Sequence, residues 1–143
     1  MNFDNARNDS VVMYVRLGRY PDEDKDRDEQ IVIHKYDTWS MDHTLALIIV
    51  PMLKQLKETK HGAPNVDCID VPMRLQPKQL EVVRYRENGE TDENFFKRWD
   101  YVMDEMIWAF EQIANETDLS DAEEKRVNSG LKLFGKYYRS LWD

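Results

Sequence analysis

Two groups of residues in this chain have types and spacings that could do chemistry. The first gathers around YDTWSMDHTLA, Tyr36 to Ala46, where His34, Asp37, Asp42 and His43 lie close in sequence; His61, Asp67, Cys68 and Asp70 follow farther on. These are metal-ligand types. Geometry argues against a shared ion, because the intervening pattern predicts a helix of about 20 residues, roughly 30 Å long. Adjacent Asp42 and His43 would also diverge by about 100° around that helix. Helix capping explains the acids instead: Asp37, Thr38 or Ser40 can accept from orphan amides, and Asp42 complements the helix dipole. Capping needs neither Trp39 nor His43. Those two, with His34 and Tyr36 leading in, are the junction's candidates for ligand binding.

The second group is Asp100, Asp104 and Glu111, with Glu105 beside them. Asp100 and Asp104 fall one helical turn apart and could hold Mg²⁺, as in helical metal-dependent nucleotide hydrolases. Such sites need a second acidic pair on a facing helix. Asp121, Glu123 and Glu124 sit at a helix start, where acids are expected in any case. The preferred reading is a solvated acidic face beside the basic final helix, with no cofactor and Mg²⁺ as the alternative.

Nucleophilic catalysis finds no support. Cys68 is flanked by Asp67 and Asp70, which disfavour a thiolate. There is no Gly-x-Ser-x-Gly elbow, P-loop or Gly-x-Gly-x-x-Gly fingerprint. The remaining candidate is aromatic side chains beside positive charge: Arg16, Arg19 and Tyr20 with His34 and Tyr36 opposite, and FGKYYRSLW near the end. Such groups can stack a base and grip a phosphate. They suit a small anionic ligand.

The elements that must position these residues follow from periodicity. The 143 residues, 41% hydrophobic with four tryptophans, predict one globular domain. VVMYVRL (Val11–Leu17) and QIVIHKY (Gln30–Tyr36) read as the strands of a β-hairpin or small antiparallel sheet over 11–36, after a polar arm over 1–10. A first helix over 40–61 carries Met41, Leu45, Ile48, Ile49, Met52, Leu53 and Leu56 on one stripe. Pro51 should kink it and Gly62 should end it. Residues 62–90 read as irregular, with LEVVRY (Leu80–Tyr85) as a possible third strand.

Two further helices, over 91–117 and 120–142, form an αα-hairpin. The first buries Phe95, Trp99, Val102, Met103, Met106, Phe110 and Ile113. The second opens with the capping box SDAE and buries Val127, Leu131, Phe134, Tyr138 and Leu141, with Gly130 and Gly135 permitting close approach. The expected class is α+β: hairpin, Pro-kinked helix, helical hairpin.

Charge and composition bound the partners. A net charge of −8 disfavours an extended nucleic-acid footprint. The longest apolar run, Leu45–Leu53, is far short of the roughly 20 residues a membrane span needs. The start, MNFDNARNDS, lacks a signal peptide's apolar core, and the single cysteine suits a reducing cytoplasm. Thr91–Glu124 holds eleven acids against Lys97 and Arg98, whereas Lys125–Asp143 holds five bases against Asp143. These stretches are expected to lie side by side. Trp39, Trp108 and Trp142 fall off the stripes, so a homo-oligomer is predicted to cover them.

Three blocks in order, IVIHKYDTWSMDHTLALIIVPMLKQLKETKHGAPNVDCIDVP, ENFFKRWDYVMDEMIWAFEQ and GLKLFGKYYRSLWD, resemble a family of proteins from large tailed bacteriophages, marine ones included. The resemblance covers about half the chain and implies an origin rather than an activity: a phage protein acting in the host bacterial cytoplasm or the virion. Longer members carry an insertion before the last block, reduced here to IANETDLSDAEE. The expectation is therefore a non-enzymatic accessory protein that binds a host protein or sequesters a small nucleotide-like signal. The alternatives are the metal-dependent hydrolase using Asp100 and Asp104, and a structural component of the virion.

Overall fold

The structure, a computed structural model, describes residues 14–17 and 29–143. The chain divides into two compact units, Met1–Thr44 and Leu45–Asp143. The described residues are mostly helical, which corrects the α+β expectation. In the first unit, β1 (Tyr14–Leu17) pairs antiparallel with β2 (Glu29–Val32), Tyr14 opposite Val32 and Leu17 opposite Glu29. Residues 11–13 of the predicted first strand lie outside the described residues; the described second strand ends at Val32, short of the predicted Tyr36, and every residue of β2 is exposed. The polar arm, Arg19 and Tyr20 lie outside the described residues.

A tight turn follows β2. The Asp37 carboxylate accepts from the His34 backbone N–H at 2.6 Å, and Thr44 Oγ1 donates to the Asp37 carbonyl at 3.1 Å. Asp37 thus secures the turn before the helix, rather than the helix amides it was expected to cap. Helix α1 then runs Met41–Thr59 and stays continuous through Pro51. Proline removes the N–H that would reach the Leu47 carbonyl. Leu47 and Pro51 are both exposed, so water can serve that carbonyl.

The second unit is built around α3 (Phe95–Ala114), flanked by α1 and by α4 (Asp121–Tyr137). Trp99, Val102, Met103 and Met106 of α3 are its largest fully buried side chains. Ala46 and Leu53 of α1, Val66, Val71 and Leu75 of the connecting segment, and Tyr137 of α4 complete the core. The predicted stripe of α3 is present and wider than expected, taking in Arg98, Ile107 and Ala109. On α4 the expected stripe holds through buried Val127 and through Leu131 and Phe134 packed on the core; at its end Tyr137 is buried in place of Tyr138, which is 62% exposed.

Gly130 lets α3 and α4 approach closely. A Cβ there would stand 2.4 Å from Ala109 Cβ and 2.7 Å from the Glu105 carbonyl oxygen, so the two helices meet backbone to side chain at this point. Gly135, expected to do the same, has open space around it.

Lysines three residues apart, two on α1 and Lys60 just past its end, meet acids of α3 in antiparallel order: Lys54 with Glu111 at 2.6 Å, Lys57 with Asp104 at 2.5 Å, Lys60 with Asp100 at 2.6 Å. The acidic face of α3 is therefore met mainly by α1, not by the basic final helix. From α4, Arg126 reaches Glu105 at 2.9 Å and lays its guanidinium 3.9 Å over the Trp108 ring. Trp108 is thereby covered within the chain and leaves the set of exposed tryptophans.

The segment LEVVRY is helical, not a third strand. It lies within α2 (Gln79–Asn88), started by Glu81 Oε1 accepting from the Lys78 N–H at 2.9 Å and closed by Gly89 at φ 71°. Gly89, rather than Gly62, is the left-handed terminator. Helix α3 ends on Glu116 at φ 51°, with Thr117 N–H bonded to the Gln112 carbonyl at 3.1 Å. Ser120 and Glu123 form the predicted capping box of α4. No helix among the described residues is long and apolar enough to cross a membrane.

Candidate functional site

The second unit carries a cleft of about 570 Å³ where four parts of the chain converge. Pro64–Cys68 supplies one wall and Glu81, Val82 and Tyr85 of α2 another. Phe95 and Arg98 at the start of α3, with Lys136, Tyr137 and Ser140 at the far end of α4, supply the rest. Apolar groups dominate its depth: Val66 and Phe95 are buried, and Tyr85 packs on Phe95 with ring centroids 5.4 Å apart.

Two polar assemblies hold the cleft. Arg98, only 2% exposed, donates to both oxygens of Asp92 at 2.9 and 2.5 Å and to the Leu75 carbonyl at 2.9 Å. Asp92 also accepts from the Asn94 N–H at 2.9 Å. The Arg98 hydrogen bonds, together with that backbone contact, hold the Asp92 carboxyl below its ordinary value. Arg98 Nε is buried without an acceptor among the described residues.

The second assembly centres on Tyr137. Its hydroxyl accepts from the Asp67 N–H at 2.9 Å and donates to Asp70 Oδ2 at 2.6 Å. Lys136 Nζ bridges Asp70 at 2.6 Å and Asp67 at 3.2 Å. Burial, reinforced by the Asp70 bond, pushes the Tyr137 phenol up to about 12. Bonding to Asp70 raises the Lys136 ammonium above the usual lysine value. The Ile69 N–H, then Lys136, lowers Asp67. These bonds tie Asp67, Asp70, Lys136 and Tyr137 into one network.

Comparison of the chain with protein-family models, curated proteins and solved structures gives no match. The reading of the cleft rests on its own geometry.

The ligand-binding residues expected from the sequence lie in the first unit. His34, Tyr36 and Trp39 do come together: His34 and Tyr36 ring centroids are 5.1 Å apart, and Tyr36 and Trp39 meet edge to face at 4.5 Å. Lys35 Nζ sits 4.9 Å from the Tyr36 ring, and Trp39 is 79% exposed. His43 lies half-buried in the first turn of α1, and Arg16 is exposed on β1 opposite Gln30. Asp100 and Asp104, the Mg²⁺ alternative, line a smaller hollow of about 390 Å³ in which they are paired to Lys60 and Lys57. Among the described residues, no three His, Cys, Asp or Glu side chains come together as a metal-binding group.

Sequence reasoning missed Arg98 and Asp92 altogether. It did single out Asp67, Cys68, Asp70 and the string FGKYYRSLW, but as separate features. The fold turns Lys136 and Tyr137 of that string onto Asp67 and Asp70, some 70 positions away. No local pattern announces such a meeting.

Proposed function

We propose that this chain is a non-enzymatic bacteriophage accessory protein that acts in the host cytoplasm by gripping a segment of a host protein in the Pro64–Ser140 cleft. The phage setting rests on the three resembling sequence blocks. The binding role rests on one observation: among the described residues, both cations lining the cleft, Arg98 and Lys136, are held by neighbouring carboxylates. Arg98 belongs to Asp92, and Lys136 belongs to Asp67 and Asp70. With Glu81 on the wall, the lining is net acidic around an apolar floor. A nucleotide-like anion would find no uncommitted cation there. An extended segment with one apolar side chain flanked by lysine or arginine complements both floor and rim.

Fluorescence anisotropy with labelled peptides tests this. An apolar–basic peptide should bind saturably, and its acidic counterpart should not. Tyr85→Ala should remove a stacking surface and weaken binding about tenfold, the equivalent of roughly 1.4 kcal/mol. Equal affinity for both peptides, or unchanged affinity in Tyr85→Ala, refutes the reading. So would nucleotide hydrolysis by the wild type that Asp104→Asn abolishes.

A further inference from the structure

The apolar side chains of α1 divide between two faces. Ala46 and Leu53 are buried in the core, with Ile49, Val50 and Leu56 packed beside them. The rest of the expected stripe turns away from that core: Leu45 is 41% exposed and Met52 58%, with Leu47 at 52% on its flank. Ile48 lies between Leu45 and Met52 and is half-buried.

Two features of this outer face argue for what covers it. First, in a chain that is 34% charged, Lys54 is the single ionisable residue from Leu45 to Gln55, and it reaches back to Glu111 at 2.6 Å. The face is therefore neutral. Two copies carrying −8 each repel over most of their surfaces and could approach closely only where charge is missing. Second, Leu45, Ile48 and Met52 are spaced by three and then four residues, the spacing of a knobs-into-holes seam. A second copy of α1 presents the matching spacing by identity.

We propose that the outer face of α1 is a self-association seam, packing antiparallel on α1 of a second copy about a twofold axis. Leu45 of each copy then meets Met52 of the other, and Ile48 lies next to the axis. Leu47 and Pro51 fall on the rim, where the Leu47 carbonyl keeps access to water. The seam is short, about 10 Å from Leu45 to Met52. A stable dimer usually buries about 800 Å² per partner, so this one is weak and reversible.

Sedimentation velocity of the full chain from low-micromolar to near-millimolar concentration should show monomer passing to dimer. Ile48→Lys, which sets two like charges at the axis, and Met52→Lys should each weaken the dimer about tenfold or more. In a Cys68→Ser background, Ile48→Cys should form an intermolecular disulfide on mild oxidation and Leu45→Cys should not. A protein monomeric throughout overturns the proposal. So does a dimer insensitive to both lysine variants, or one that Leu45→Cys cross-links as readily as Ile48→Cys. If the chain is monomeric and Met52→Lys lowers its melting temperature, its own residues cover the face, which also overturns the proposal. Each readout is independent of peptide binding in the cleft.

Discussion

The α3–α4 hairpin and α2 are both helical, and they are held in different ways. The hairpin locks Trp99, Val102, Met103 and Met106 into the core and closes on Gly130 with no room for a methyl group. Helix α2 has no buried residue; half-buried Tyr85 packs on Phe95, and hydrogen bonds mark both its ends. Burial sets local stability, so the cleft has one firm wall and one compliant one. A binding site built this way can admit a segment by adjusting α2 while α3 and α4 stay in place.

The largest effect should come from the firm side. Trp99→Ala should destabilise the protein by about 3–5 kcal/mol in urea unfolding, through lost burial and a core cavity. Tyr85→Ala, across the cleft, should cost clearly less. Equal losses would erase the distinction between the two walls.

Asp92→Asn should cost nearly as much, about 3–5 kcal/mol, because Arg98 remains buried without its counter-charge. The sign of the pH dependence follows from the depressed carboxyl of Asp92, held down chiefly by Arg98. Its contribution is fully present above the unfolded value of about 3.9 and is lost as pH falls through the lower folded value. Wild type and variant should therefore differ at neutral pH and converge in acid. A gap that persists undiminished below that range would show that the pair is not what the substitution disrupts.

Two glycines five residues apart sharpen the contrast within α4 itself. Gly130→Ala forces a methyl into Ala109 and the Glu105 backbone and should cost about 1–3 kcal/mol. Gly135→Ala meets nothing within 4 Å and should stabilise the helix by up to about 1 kcal/mol. Thermal unfolding of the two variants should shift in opposite directions. If both shift upward, the close approach at Gly130 is wrong.

What could be read from sequence follows the same division. The helical hairpin was legible because its apolar residues recur at the helical period over some twenty positions, and SDAE marks its second start. LEVVRY was misread as a strand because a ten-residue helix with adjacent valines and only four half-buried positions shows no decisive period. The better signals were Glu81 three residues after Lys78 and Gly89 behind the last turn. On α1 the stripe was read as one face, although it serves two directions. The cleft was least legible of all. Arg98 is one of two bases in an acidic stretch, and nothing in its spacing tells that it, rather than Lys97, is enclosed.

The corner between α3 and α4 is closed from both sides. Glu116 and Thr117 satisfy the last carbonyls of α3, and Ser120 and Glu123 satisfy the first amides of α4. These bonds lie within each helix end, and lengthening a surface connection costs little entropy. The corner is therefore a place where evolution can splice in or trim residues without re-specifying the flanking helices. A change of length there can leave the hairpin intact, and with it the cleft at its far end.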